Sequence, residues 1–199
     1  NFIMFKIGFK NVCALNGTCA SFMPRPLDGY PGSGLHLSIT LSGKNASASA
    51  AAFAEGVMRR YKEITCFANP TPNSYARIKK NYKIAYGVNR GSAMRIFGDN
   101  VVQLRTPDST CNIFTVLSLV FAAGREGIEN NYTLRGEGEA TDYMFPSVDA
   151  AIAFAEQSEW LRVNMPGVFD DVLGSMKKLN LAEQALKTHR DTLEYYTGI

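Results

Sequence analysis

The stretch Arg25-Pro26-Leu27-Asp28-Gly29-Tyr30-Pro31-Gly32-Ser33-Gly34-Leu35-His36-Leu37-Ser38-Ile39-Thr40 joins a turn-rich link to a short apolar run. Its prolines and glycines hold the link out of regular structure, and the residues from Leu35 to Leu41 read as a strand. Upstream, Cys19 to Met23 reads as another, so a glycine-rich loop between two strands is expected. Small residues at Gly32, Ser33 and Gly34 let the backbone approach a ligand and turn N–H groups towards a carboxylate or phosphate. His36 follows directly inside the apolar run, a position that suits either a core histidine or a ligand.

Working outward, Phe2, Ile3, Phe5, Phe9, Val12, Cys13 and Leu15 recur at helical spacing, and Asn16-Gly17 supplies a stop. The Ala/Ser tract from Ala46 runs into Phe53, Val57, Met58 and Tyr61 on one helical face. Pro70 and Pro72 cannot continue that helix, so Asn69 to Tyr75 is expected to be a loop. Lys83 to Val88, Ala93 to Phe97 and Val101 to Arg105 read as an antiparallel meander. Cys111 to Ile128 is a long apolar helix. Others are expected from Ser147 through Phe154, from Pro166, and from Leu181 to Tyr196 with Leu186 and Leu193 on one face. Strands gathered early and helices late predict an α+β fold: an antiparallel sheet with flanking helices and a helical carboxyl-terminal part, one domain over residues 1–199. The Gly/Glu-rich stretch from Leu134 to Asp142 is its weakest join.

The 199 residues are 46% hydrophobic and 20% charged, with a formal charge of +3, which suits a globular protein able to bury a core. No apolar run approaches the ~20 residues that span a bilayer, so a membrane protein is not expected. Basic residues are scattered apart from Arg59-Arg60 and Lys177-Lys178, which read as solvated helix faces rather than a nucleic-acid surface. Cys13, Cys19, Cys66 and Cys111 sit singly in apolar patterns without metal-binding spacing, as expected of buried thiols in a reducing cytoplasm. The opening residues show neither an initiating methionine nor signal-peptide order, so the chain is expected to start inside a helix, with an amino-terminal domain missing.

Two histidines and no Gly-x-Ser-x-Gly elbow leave little room for a nucleophilic triad. His189, on a polar stretch, reads as a surface residue. Arg77, Arg90, Arg95 and Arg105 fall at turn-flanked positions. Their planar forks would take a carboxylate and a polyphosphate bidentately, although spacing alone equally allows surface ion pairs.

Several motifs in order resemble the glutamine synthetase family. Arg25-Pro26 followed by Pro31-Gly32-Ser33-Gly34-Leu35-His36 and Thr40 is similar to its Lys-Pro and Asn/Pro-Gly-Ser-Gly-x-His signature. Asn69-Pro70-Thr71-Pro72-Asn73-Ser74-Tyr75-Ala76-Arg77, Asn89-Arg90 to Arg95-Ile96, and Gln103-Leu104-Arg105-Thr106-Pro107-Asp108 with Cys111-Asn112 resemble three further family blocks. The resemblance implies an ATP-dependent ligase that phosphorylates the γ-carboxylate of glutamate and lets ammonia or another amine attack the acyl phosphate. It implies Mg2+ or Mn2+, with His36 as a ligand and Gln103 in a ligand's place. Gly32, Ser33, Gly34, Arg77 and Arg105 would bind glutamate, and Arg90, Arg95 and Ser38 would face ATP. Arg90 and Arg105 would also serve catalysis. A cytoplasmic homo-oligomeric ring is implied for the complete protein.

Departures fall on functional positions. Gln103 stands for a metal-binding glutamate, Val101 for an arginine, Ser38 for the second histidine of His-x-His, and Pro31 for an asparagine. Between Arg77 and Arg90 the chain is shorter than usual, and the family's Pro-Gly-Tyr-Glu-Ala-Pro flap is missing. A catalytically impaired paralogue with a binding or assembly role, and a plain α+β module whose arginines hold another anion, therefore stay open beside the ligase.

Overall fold

The computed structural model describes residues 1–78, 82–88, 91–186 and 188–197. Helix α1 (Phe2–Leu15) leads through an irregular stretch to β1 (Leu37–Thr40), then α2 (Ala46–Arg59), α3 (Tyr61–Ala68) and α4 (Pro72–Arg77). Strands β2 (Lys83–Ile84), β3 (Tyr86–Gly87), β4 (Met94–Phe97) and β5 (Val101–Leu104) follow, before α5 (Ile113–Glu129) and β6 (Asp142–Tyr143). The chain continues through α6 (Val148–Gln157), α7 (Glu159–Asn164), α8 (Phe169–Gln184) and α9 (His189–Thr197). The fold is α+β, as the pattern of early strands and late helices predicts.

Four strands form one sheet in the order β1-β5-β4-β3, antiparallel except between β3 and β4. Alternation gives the sheet two unlike faces. Leu37, Met94 and Leu104 align across the ladder, as do Ile39, Ile96 and Val102, and this apolar face meets the helices. Phe53, Val57 and Tyr61 from α2 and α3, with Val116, Leu119 and Val120 from α5, complete the buried cluster. Helices α2 and α5 run almost in backbone contact: a Cβ on Gly127 would lie 2.1 Å from the Ala52 carbonyl oxygen, and one on Gly56 2.2 Å from that of Ala123. The other sheet face carries Ser38, Gln103 and Arg95, with Thr40, Val101 and Phe97 beside them.

Several expectations are corrected. Cys19–Met23 forms no strand: Met23 N–H turns back to Ser21 Oγ, and Pro24 has no N–H for a ladder. The expected loop at Asn69–Tyr75 holds the start of α4, because Pro72 sits at its first turn and Thr71 and Ser74 cap each other reciprocally. Of the meander only the β4–β5 hairpin is present. Lys83 to Val88 splits into two short strands, one running parallel to β4 and one pairing with the distant β6. The helix from Ala46 breaks at Arg60, where φ −103° and ψ 13° depart from helical values. Pro166 lies in the turn between α7 and α8 and starts no helix. Nor is Leu181–Tyr196 one helix, since α8 stops at Gln184 and α9 starts at His189. Leu186 is half-buried outside both; the side chains of His189 and Leu193 lie outside the described residues.

Cys66 and Cys111 are buried as expected, and burial pushes both thiols up to about 12. Cys13 is only half-buried, on a helix that buries no residue, and Cys19 is exposed. Arg59, Arg60 and Lys177 are tied to Glu55, Glu126 and Glu156. Among the described residues no helix is long and apolar enough to cross a membrane.

Candidate functional site on the open face of the sheet

Register sets the site. Ser38 of β1, Gln103 of β5 and Arg95 of β4 are direct cross-strand partners, so the three side chains stand abreast on the face away from the core. Thr40, Val101 and Phe97 form the next row. His36 and Arg105 flank the first row from just outside β1 and β5, with the parity of Ser38 and Gln103.

Gln103 sits at the centre of this row. Its Nε2 donates to Ser38 Oγ at 3.0 Å, and its Oε1 accepts from Arg105 Nη1 at 3.1 Å. A guanidinium can only donate, so the amide oxygen has to face Arg105 and the amide nitrogen Ser38. Arg95 donates through Nε to the Val88 carbonyl at 3.0 Å and stacks over the Phe97 ring at 5.1 Å. Burial pushes the His36 imidazole below its usual 6.5, and Arg105, Arg77 and Arg95 push it the same way. His36 is therefore a neutral ring beside three cations at neutral pH.

Arg77 comes from the last turn of α4 and lies under the glycine loop. Its Nη2 donates to the carbonyls of Thr106 and, at 3.2 Å, of Pro107. A Cβ on Gly32 would meet Arg77 Cγ at 2.6 Å and the Pro24 oxygen at 2.5 Å, and one on Gly34 would lie 3.1 Å from Arg77 Nη1 and 3.7 Å from His36 Nε2. Glycine at 32 is thus a packing requirement set by the Pro24 carbonyl and Arg77 together. Ser33 N–H donates to Pro24 O at 2.7 Å, and Leu35 N–H to Pro107 O at 2.8 Å, which locks the glycine loop beside the loop after β5.

Buried polar groups hold the loop after β5. Tyr61 donates its hydroxyl to Ala93 O at 2.8 Å and meets Thr106 Oγ1 at 2.9 Å. Asn69 Nδ2 donates to Thr106 O at 2.8 Å and to Asp108 Oδ2 at 3.0 Å. The Nε atoms of Arg77 and Arg105 are buried with no acceptor, and neither these two nor Arg95 forms an ion pair among the described residues. Guanidinium groups without an ion-pair partner beside a glycine loop have the chemistry to accept an anion.

Residues 1–197 match the family model described as glutamine synthetase, catalytic domain. The chain belongs to the glutamine synthetase family. It is 31% identical to a glutamine synthetase of Clostridium saccharobutylicum over 95% of this chain and 46% of that protein. With a glutamine synthetase of Pyrococcus abyssi it shares 28% identity over 98% of this chain and 47% of the other. The chain spans about half the length of the curated relatives it matches. Among solved structures, ligand-free GmaS superposes with a TM-score of 0.81 at 23% identity, covering 94% of this chain and 50% of that one. The GmaS/ADP complex gives the same TM-score and identity over 97% of this chain and 53% of the other. These two likenesses confirm the fold.

The structure brings together nearly all the residues that the glutamine synthetase motifs single out: Gly32, Gly34, His36, Ser38, Arg77, Arg95, Gln103 and Arg105. Ser33 is exposed on the same loop. Arg90 lies outside the described residues. Tyr61, Asn69 and Tyr82 escape a reading by motif roles, because buried or half-buried polar residues look like core positions. Tyr82, whose hydroxyl donates to Gly91 O at 2.5 Å, sits where Arg105 and Arg77 act on its phenol.

A hard divalent cation prefers several anionic oxygens. This cluster offers an imidazole, an amide and a hydroxyl, and the amide oxygen is already taken by Arg105. Asp108, on the segment that follows Gln103 and Arg105, is fully buried and bonded to Asn69 and Thr110. Among the described residues no three His, Cys, Asp or Glu side chains gather to hold a metal. His36 and Gln103 by themselves do not fit a divalent cation.

Proposed function

We propose that the protein acts as a glutamine-synthetase-type ligase, joining ammonia or another amine to the γ-carboxylate of glutamate through γ-glutamyl phosphate, with ATP as co-substrate. The observation that supports this best is the convergence of Arg77, Arg95 and Arg105 with His36 beside the Gly32–Gly34 loop, with no carboxylate paired to these arginines among the described residues. In this reading Arg77 and Arg105 take the carboxylates of glutamate, and Gly32, Ser33 and Gly34 line that subsite. Arg95 and Ser38, with Arg90, face the phosphates of ATP. Arg105 and Arg90 stabilise the negative charge that develops on the transferred phosphoryl group. Any Mg2+ or Mn2+ in the whole protein would need carboxylates from outside these residues. Residues 1–199 would be one portion of the catalytic domain in a cytoplasmic, ring-forming homo-oligomer.

The test is ADP release by the full-length protein given ATP, Mg2+, glutamate and ammonia or a panel of primary amines. Glutamate-dependent release is expected. None with any amine would sink the ligase reading in favour of a second one: a catalytically impaired relative that keeps binding. Gln103, whose amide is bonded on both sides where the family resemblance implies a metal-binding carboxylate, is the observation that favours this alternative.

A further inference from the structure

Two of the departures from the family pattern touch one another. Ser38 and Gln103 are cross-strand partners, and a hydrogen bond joins them. Each change alone weakens a metal site. Together they build a different device. The Gln103 amide keeps one N–H beyond the one given to Ser38, and Ser38, whose oxygen accepts from Gln103, keeps its own O–H to donate. Arg95 stands next in the row, and Arg105 and His36 lie beside it. Where a carboxylate would draw a cation, this row presents donors and positive charge. No acidic side chain is paired with its arginines among the described residues.

We infer that the row Ser38, Gln103 and Arg95, with Arg105 and His36, is a metal-independent oxyanion site that takes a phosphate group directly. The site neutralises the phosphate with guanidinium groups instead of a bridging cation. A carboxylate at 103 would reverse this preference: it would hold Arg105 in an ion pair, repel a phosphate and attract a divalent cation. The inference rests on reading this face as the chain's anion-binding site, as in the proposed function, but it does not require that ligation occurs.

The probe is inorganic phosphate, which binds Mg2+ weakly and so leaves the comparison clean. Its affinity for the full-length protein is measured by titration calorimetry in EDTA and again in excess Mg2+. Saturable binding in EDTA, changed less than about twofold by Mg2+, is expected, with at least a tenfold loss in Arg95→Ala (~1.4 kcal/mol per tenfold). Gln103→Glu, nearly isosteric, should lose at least tenfold in EDTA and recover part of it when Mg2+ is added. Phosphate binding that needs Mg2+ in the unmodified protein, or a Gln103→Glu protein that behaves identically in both buffers, would overturn the inference. The two readings fail separately. Phosphate bound in EDTA without glutamate-dependent ADP release removes the ligase and leaves this site, whereas ADP release with strictly Mg2+-dependent phosphate binding removes this site and leaves the ligase.

Discussion

The phenol of Tyr196 donates to Oε2 of Glu183 at 2.6 Å, while Oε1 of the same carboxylate accepts the backbone N–H of Asn73 at 2.8 Å. One side chain of α8 thus ties the last helix to the first turn of α4, whose other end carries Arg77. Tyr196→Phe removes a hydrogen bond to a charged acceptor and should cost about 1.5–3 kcal/mol. Urea unfolding checks this: the midpoint should fall with the slope unchanged.

Burial pushes the Glu183 carboxyl above its usual 4.5, although bonds from Tyr196 and Asn73 oppose it. A carboxyl whose value rises on folding contributes stability that is full below the unfolded value and is lost as pH climbs through the folded one. Glu183→Gln has no such titration. Melting temperatures of the two proteins should therefore diverge just above pH 4.5, the wild type losing ground as pH rises. A difference that stays constant with pH would contradict the assignment.

Glu55 gives the opposite sign. Burial pushes its carboxyl up, but hydrogen bonds from Arg135 and Arg59 outweigh burial and hold it below 4.5. Arg135 Nε donates to Oε2 at 3.0 Å and Arg59 Nε to Oε1 at 2.9 Å, around a residue only 1% exposed. This stability is present above 4.5 and lost as pH falls through the folded value. Glu55→Gln should cost about 1.5–3 kcal/mol at pH 7. Calorimetric melting should show that the variant's deficit shrinks on acidification.

The sheet was legible because its strands alternate. Leu37 and Ile39, Met94 and Ile96, Val102 and Leu104 face the core, and this places His36, Ser38, Arg95, Gln103 and Arg105 on the other side. The two-residue strands were not, since β2 finds its partner at Asp142–Tyr143, far along the chain, and so short a run has no period to read. Helix α4 was hidden by treating Pro72 as a breaker where it serves as a first-turn residue. The site's arginines were legible through motifs. The Ser38–Gln103 bond was not, because two departures judged one at a time do not show that they touch. Asn69 and Tyr61 were seen only as motif and core residues, since nothing in a sequence says which carbonyl a buried amide or phenol will reach.

The crossing of α2 and α5 depends on residues without side chains. Gly127 approaches Gly56, and a Cβ on Gly127 would lie 2.9 Å from Gly56 Cα as well as 2.1 Å from Ala52 O. Backbone atoms on both sides cannot swing away. Gly127→Ala should therefore cost at least about 1–3 kcal/mol despite its gain in helix propensity. A melting temperature equal to or above wild type would show that the helices have room to separate.

Asn69 offers the sharpest test of how the site is held. It is fully buried, and one amide nitrogen joins Thr106 O to Asp108 Oδ2. Arg77 uses the same Thr106 carbonyl, so the amide and the guanidinium share an anchor. Asn69→Asp puts an oxygen where the donor was, setting two carboxylates face to face. Either they share a proton or the loop after β5 moves. The expected loss is about 3–5 kcal/mol at pH 7. A proton shared between the two carboxyls relieves their repulsion, so the missing stability should return on acidification. Glutamate affinity should follow, because the carbonyls that aim Arg77 shift with the loop. Asn69→Leu removes the donor without adding charge, and its deficit should not ease on acidification. Equal pH profiles for the two variants would mean that Asn69 fills space and does not position Arg77.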